Sequence, residues 1–144
     1  MKILWTDGSA SPNPGPGGFA VIEVSGDAAR PVCLGREADT TNIRMEASAM
    51  IAGIKYAGEE GCEIHTDSEF WINVLTKWAP GWEAKGWRKS KGEIKNLDLV
   101  KELYELYCKY QPKLVWEKGH AGTEYNELAD EWANKARKGA IIET

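Results

Sequence analysis

The sequence predicts an α/β domain built on a mixed, five-stranded sheet, and three observations carry that expectation. Three strand-like runs come first, at 2–6, 19–24 and 31–38, interrupted only by a Gly/Pro-dense stretch and a short connection. Helical and strand-like patterns then alternate, which is how strands are joined when they run parallel. Two strands also end alike: Thr6-Asp7 and Thr66-Asp67 each close an apolar run and precede a small residue.

The elements follow in order. Residues 2–6 form a strand with Ile3 and Trp5 on one face. "SPNPGPGG" (11–18) is dense enough in Pro and Gly to be a turn or loop. "FAVIEV" (19–24) reads as a strand and "PVCLGREA" (31–38) as its partner. A helix covers 44–58, a short strand 62–66, and one or two helices run from 68 to about 84 before a basic loop. Leu97, Val100, Tyr104 and Tyr107 recur at helical spacing over 97–110. "KLVWE" (113–117) is the last strand and "KGHAGT" a loop. The final helix, 124–138, has Leu128, Ala129, Trp132, Ala133 and Ala136 as its core stripe.

Composition narrows the class. With 144 residues, 42% hydrophobic and 28% charged, the chain reads as one ordinary globular domain, 1–144. "MKILWTDGSA" reaches Asp7 too soon for a signal peptide, and no apolar run approaches the roughly 20 residues that span a bilayer. No membrane association is therefore expected. Cys33, Cys62 and Cys108 lack any metal or redox spacing and read as reduced, mostly buried thiols, so a cytoplasmic location is expected. The net charge of −4 speaks against a general positive field. Yet "KGWRKSKGEIK" gathers Lys85, Arg88, Lys89, Lys91 and Lys95 against Glu93 alone. That run is either a polyanion-facing patch or a solvated loop.

Four carboxylates invite a chemical reading. On the 44–58 helix, Glu46 shares its face with Ala49, Met50, Gly53 and Ala57, while Ser48, Lys55 and Glu59 lie roughly opposite. Glu46 thus points into the protein, where an unpaired carboxylate is costly. A cap at Thr41 or Asn42 and the helix dipole would explain a first-turn acid, but not one on the buried side. Asp7 by itself could be an Asx turn, and Asp67 by itself could cap the helix that starts near Ser68. If their strands are parallel neighbours, the two aspartates instead sit side by side at the ligand-binding edge of the sheet. Carboxylates gathered at about 4 Å repel by roughly 1 kcal/mol per pair in water, and more in a protein, unless a cation compensates. Oxygen ligands without His or thiolate favour Mg²⁺ or Mn²⁺ over zinc. Asp130 lies off its helix's core stripe, so periodicity alone places it on the surface; His120 is a glycine-flanked loop residue.

Taken together these segments resemble ribonuclease H of type 1, the metal-dependent endonuclease that cuts RNA in RNA–DNA hybrids. "TDGSASPNPGPGGFA", "TTNIRMEASAMIAGI", "TDSEF" and "KGHAGTEYNELADEWA" resemble the family's four active-site segments, in order, over about residues 2–138. "WAPGWEAKGWRKSKGEIKN" resembles the aromatic and basic handle of some members, here about 78–96. The resemblance implies a ribonuclease H-like fold, with three antiparallel strands followed by parallel ones and helices on both faces. It implies Asp7, Glu46, Asp67 and Asp130 as catalytic carboxylates and metal ligands, with His120 as a flexible accessory. For Asp130 it replaces the surface position that periodicity suggests with one facing the metals. The implied chemistry is phosphodiester hydrolysis with two Mg²⁺ ions about 4 Å apart, Mn²⁺ able to substitute, leaving 5′-phosphate and 3′-hydroxyl ends.

For the substrate, the resemblance implies that Asn13, Asn42 and the backbone near Gly8 to Ser11 reach the minor groove, where 2′-hydroxyls distinguish RNA. Thr41 and Asn96 would hold a DNA phosphate, and Trp82, with Trp87 nearby in the handle, would pack on deoxyribose. Lys85, Arg88 and Lys89 would add salt-sensitive phosphate affinity. The chain departs from the family's pattern at Glu69, where relatives often carry a donating glutamine, at Ile43, and at Glu83 and Ala84. A weaker or more salt-sensitive binder is expected, acting as a monomer. A same-fold resolvase or transposase-like nuclease would lack the hybrid-reading segment and handle. A non-catalytic hybrid-binding module would be expected to have lost a carboxylate, and all four are present.

Overall fold

In a computed structural model, which describes residues 1–89, 92–118 and 124–142, the chain folds around a five-stranded sheet of order β3-β2-β1-β4-β5. The strands are β1 (Lys2–Ala10), β2 (Gly15–Ser25), β3 (Ala28–Thr40), β4 (Cys62–Thr66) and β5 (Lys113–Trp116). The first three pair antiparallel, whereas β1–β4 and β4–β5 pair parallel, as expected.

Helix α1 (Asn42–Ala57) lies against β1 and β2, and α5 (Glu124–Arg137) crosses the opposite face over β1, β2 and β3. α4 (Leu97–Tyr110) packs on α1. Alternation along the strands sorts two cores. Leu4, Val21 and Ile64 join Met50, Ile54, Trp71 and Leu103 under α1 and α4. Trp5 and Ile22 join Ala129 under α5, with Ile3 on the same side, as the sequence predicts. The segment from 68 to 84 is one helical path in three pieces: α2 (Glu69–Asn73), a wider π turn (Val74–Trp78) and α3 (Ala79–Ala84).

Several expectations are corrected. β1 does not end at residue 6 but runs on to Ala10, because Ser9 and Ala10 pair with Gly18 and Gly17. The Gly/Pro stretch is therefore a turn only at 11–14, and residues 15–18 already belong to β2. Those glycines have a packing role. A side chain at Gly18 would collide with the backbone of Ala133 and Arg137, so its absence lets α5 lie flat on β2. On α4 the fully covered residues are Val100, Leu103 and Tyr104, while Leu97 and Tyr107 are half-buried at the edge. Cys62 is buried and Cys33 partly so, but Cys108 is exposed.

Candidate active site

Where β1 leaves β4, a set of carboxylates collects. The parallel pairing of β1 and β4 is in register from Lys2 opposite Cys62 to Trp5 opposite His65. Two residues on, Asp7 and Asp67 follow the end of that ladder, while Asp7 is still held from the other side by Ala20 of β2. Glu46 arrives because Gly8 has no side chain: a Cβ there would strike the backbone of Met45 and Glu46, so α1 passes directly over β1. One oxygen each from Asp7, Glu46 and Asp67 lies within 4.8 Å of the others.

The electrostatics record the crowding. Asp7 is 7% exposed. Burial, followed by the charges of Asp67, Asp130 and Glu46 and a hydrogen bond with Asp130, pushes its carboxyl up to about 9. Burial and the Asp67 charge push Glu46 to about 7, against a hydrogen bond from Ser68 that favours its ionised form. Asp130, on α5 and half-buried, therefore lies within hydrogen-bond reach of Asp7, which corrects the surface position suggested by periodicity. Its half-buried neighbours Leu128 and Trp132 pack against the Trp5, Ile22 and Ala129 cluster.

Neighbouring contacts hold the strand end. Ser68, not Asp67, caps α2: its Oγ accepts the Trp71 N–H at 3.3 Å. The Asp67 carbonyl accepts the Trp116 indole N–H at 3.3 Å, and the Glu117 N–H bonds the Thr66 carbonyl at 2.8 Å. His65, stacked on Trp5 with ring centroids 4.3 Å apart, sits between Glu63 at 2.7 Å and Glu117 at 2.6 Å. His120 lies outside the described residues.

The residues expected to read substrate fall into three groups. Asn13 and Asn42 come together beside the β1–β2 turn: Asn42 N–H donates to Asn13 Oδ1 at 3.2 Å, and Asn42 Oδ1 accepts the Ala10 N–H at 2.6 Å. Thr41 caps α1 by accepting the Arg44 N–H, and Arg44 Nη1 donates to Asn96 Oδ1 at 3.2 Å. The third group is aromatic. Trp82 is half-buried, with Trp78 tilted beside it at 6.2 Å and Phe70 a further 5.9 Å away; Phe70 and Trp78 are each 41% exposed. Trp87 turns inward instead, its ring edge-on to Tyr104 at 6.0 Å. Lys85, Arg88, Lys89 and Glu69 are exposed.

Sequence reasoning missed Arg44, Ser68, Phe70 and Trp78. Arg44 is also bound by Asp98 through two hydrogen bonds of 3.1 and 2.9 Å, which hold the Asp98 carboxyl below its usual range. No local signal marks Arg44, since its partners are 52 and 54 residues away. The exposed pair Phe70 and Trp78 had a signal, two large aromatics in the segment leading to Trp82.

Asp7, Glu46 and Asp67 gather hard oxygen donors, Asp130 is hydrogen-bonded to Asp7, and among the described residues no imidazole or thiolate joins the group, a donor set that fits a divalent cation such as Mg²⁺ or Mn²⁺. Comparison with known proteins agrees with that chemistry. Residues 1–138 match the RNase H family. A ribonuclease H of Hahella chejuensis is 42% identical over 144 residues, covering 98% of this chain and 96% of the relative. One of Methylorubrum extorquens is 37% identical over 140 residues, and the match takes in 96% of this chain but 61% of that longer relative. The crystal structure of LC9-RNase H1 has a TM-score of 0.79 at 26% identity, covering 98% of this chain and 74% of that one. With the family's segments matched along nearly the whole chain, and the mixed sheet and carboxylate cluster in place, the chain belongs to the ribonuclease H family.

Proposed function

We propose that the chain hydrolyses the RNA strand of RNA–DNA hybrids, using Asp7, Glu46, Asp67 and Asp130 to hold two divalent ions, Mg²⁺ first and Mn²⁺ in its place. The observation that carries the reading is the convergence of three acidic oxygens within 4.8 Å at a sheet edge, with Asp130 hydrogen-bonded to the most buried of them. Such a cluster is repulsive when fully ionised, and the repulsion is relieved by protons or by a bound cation. When bound, divalent ions supply a water nucleophile at neutral pH and charge stabilisation for the attacking and leaving oxygens.

The protein's own residues do the positioning. Ser68 donates to Glu46 and keeps its carboxylate turned toward the cluster. Asn42 spends its Oδ1 on the Ala10 N–H, which leaves its NH₂ group to donate to a minor-groove acceptor. Thr41, Asn96 and the Arg44 guanidinium between them would hold a DNA phosphate. Phe70, Trp78 and Trp82 would form the apolar wall against deoxyribose, and Trp87 supports the handle (78–96) from within. Lys85, Arg88 and Lys89 would contribute non-specific phosphate attraction, and His120 would assist proton movement or product release. The enzyme would act as a cytoplasmic monomer.

The test is cleavage of labelled RNA–DNA hybrid, RNA duplex and DNA duplex in Mg²⁺, Mn²⁺ or EDTA. Hybrid-only cutting that needs the metal and is lost in Asp7→Asn supports the reading. Cutting of DNA duplex, or full activity in Asp7→Asn, would sink it.

A further inference from the structure

Away from the carboxylates, a surface cavity of about 350 Å³ is lined by Pro16, Arg36, Glu37, Ala38 and Arg137, from β2, β3 and the last turn of α5. Its lining residues include two arginines and one glutamate, a surplus of one positive charge. Arg30 and Arg44 are paired with Glu23 and Asp98, but among the described residues Arg36 and Arg137 have no such partner. Arg137 Nε is buried with no hydrogen bond. That nitrogen is out of reach of a ligand, so a bound oxyanion would be met by the terminal guanidinium nitrogens of Arg137 and of the exposed Arg36.

The position of the cavity indicates which oxyanion. Arg137 follows Asp130 by seven residues on α5, which is roughly 10 Å along the axis and within about 20° of the same face. Arg36 pairs with Gly18, and Gly18 pairs with Ser9, two residues beyond Asp7. Two strand spacings across and two residues along put Arg36 about 12 Å from Asp7. Both routes put the cavity roughly 10–12 Å from the carboxylates, on the sheet face that Asp7 shares with Trp5 beneath α5. A nucleic-acid strand carries a phosphate about every 3.4 Å of helix axis. A strand with one phosphate at the carboxylates thus has another near this cavity, about two to four nucleotides away.

We propose that Arg36 and Arg137 form a second phosphate-binding site, which grips the backbone of the strand being cut about two to four nucleotides from the scissile bond. The proposal rests on the hybrid-cleaving reading above and adds the footprint of the cleaved strand. A single net positive charge suits one phosphodiester. The site would therefore add affinity without touching the reacting atoms.

The experiment compares wild type with Arg36→Gln/Arg137→Gln on hybrids whose RNA runs about six nucleotides or about one nucleotide past a fixed cut, on either side. On the long hybrids the double variant should raise KM about 3–10-fold with kcat unchanged, and the slope of log KM against log salt should fall by about one to two. When the RNA is truncated on the side that reaches the cavity, variant and wild type should converge. Melting curves establish that the variant is folded; if it is not, Arg36→Gln, which alters an exposed side chain, carries the comparison. Equal KM on long hybrids, or the same loss at both lengths, overturns the arginine site alone. Wild type that cuts no hybrid overturns the functional reading and this proposal with it.

Discussion

Replacing Asp7 by Asn should make the metal-free protein more stable while destroying its activity. The Asp7 carboxyl stands at about 9 in the fold, against an ordinary 3.8, because of burial and the charges of Asp67, Asp130 and Glu46. A carboxyl raised in this way binds its proton more tightly in the folded chain. The stability it lends is therefore complete below about pH 4 and is lost as pH rises toward 9. At pH 7 the loss spans about three pH units, or up to about 4 kcal/mol at 1.36 kcal/mol per unit. Glu46, raised to about 7 from 4.5, acts in the same direction over a narrower window that closes near neutrality. Asparagine keeps the shape and cannot ionise, so it escapes this loss. At about 2–4 °C per kcal/mol, the variant should melt up to about 8–16 °C above wild type in EDTA at pH 7–8. The gap should shrink toward pH 5, and saturating Mg²⁺ should narrow it by stabilising wild type through binding. Melting by circular dichroism across pH 5 to 9, with and without Mg²⁺, measures all of this. A variant no more stable than wild type in EDTA at pH 8, or a gap independent of pH, would mean that the fold does not hold a proton on Asp7.

The remaining predictions concern substrate affinity. Neutralising the exposed Lys85, Arg88 and Lys89 together with Gln should leave kcat intact and flatten the salt dependence of hybrid binding by about two to three, nearly one per lost phosphate contact. Salt titration of KM checks this, and an unchanged slope means the handle is merely solvated. Glu69→Gln removes an exposed negative charge and adds a donor beside the cluster, so hybrid affinity should rise while the metal requirement stays as it was. Binding that is indistinguishable from wild type would show that Glu69 does not reach the substrate.

How much of this was legible in the sequence depended on whether the signal was local. Glu46 could be read because one helix supplies both the carboxylate and the buried face on which it sits. Asp7 and Asp67 could be paired because each ends a similar run, and their strands are indeed parallel neighbours. Asp130 could not be read from periodicity, which sees a helix's own stripe but not the sheet edge packed beside it. Only the resemblance to ribonuclease H pointed to it. The length of β1 was hidden for a different reason. Gly17 and Gly18 look like turn residues, yet they are strand residues chosen for close packing, with Ser9, Thr40, Met45 and α5 around them. Arg44 was invisible because its meaning lies in Asn96 and Asp98, brought to it by the docking of α4 on α1.

The capping of α2 shows how the same local rule can mislead and then explain. An aspartate before a helix suggests an N-cap, and had Asp67 taken that role its carboxylate would have been spent on a backbone N–H. Ser68 takes the role instead, and its single hydroxyl serves twice: it accepts from Trp71 N–H and donates to Glu46. The Asp67 charge consequently stays with the cluster, where it is the largest charge contribution acting on both Asp7 and Glu46. The β1–β4 ladder ends two residues earlier, so no parallel neighbour closes over the pair, while β2 still fixes Asp7 from its other side. A strand end held by β2 and a cap made by a neutral residue together leave three carboxylates crowded within 4.8 Å of one another. That crowding is why the metal-free protein should be least stable at the pH where the enzyme is expected to bind its ions most readily.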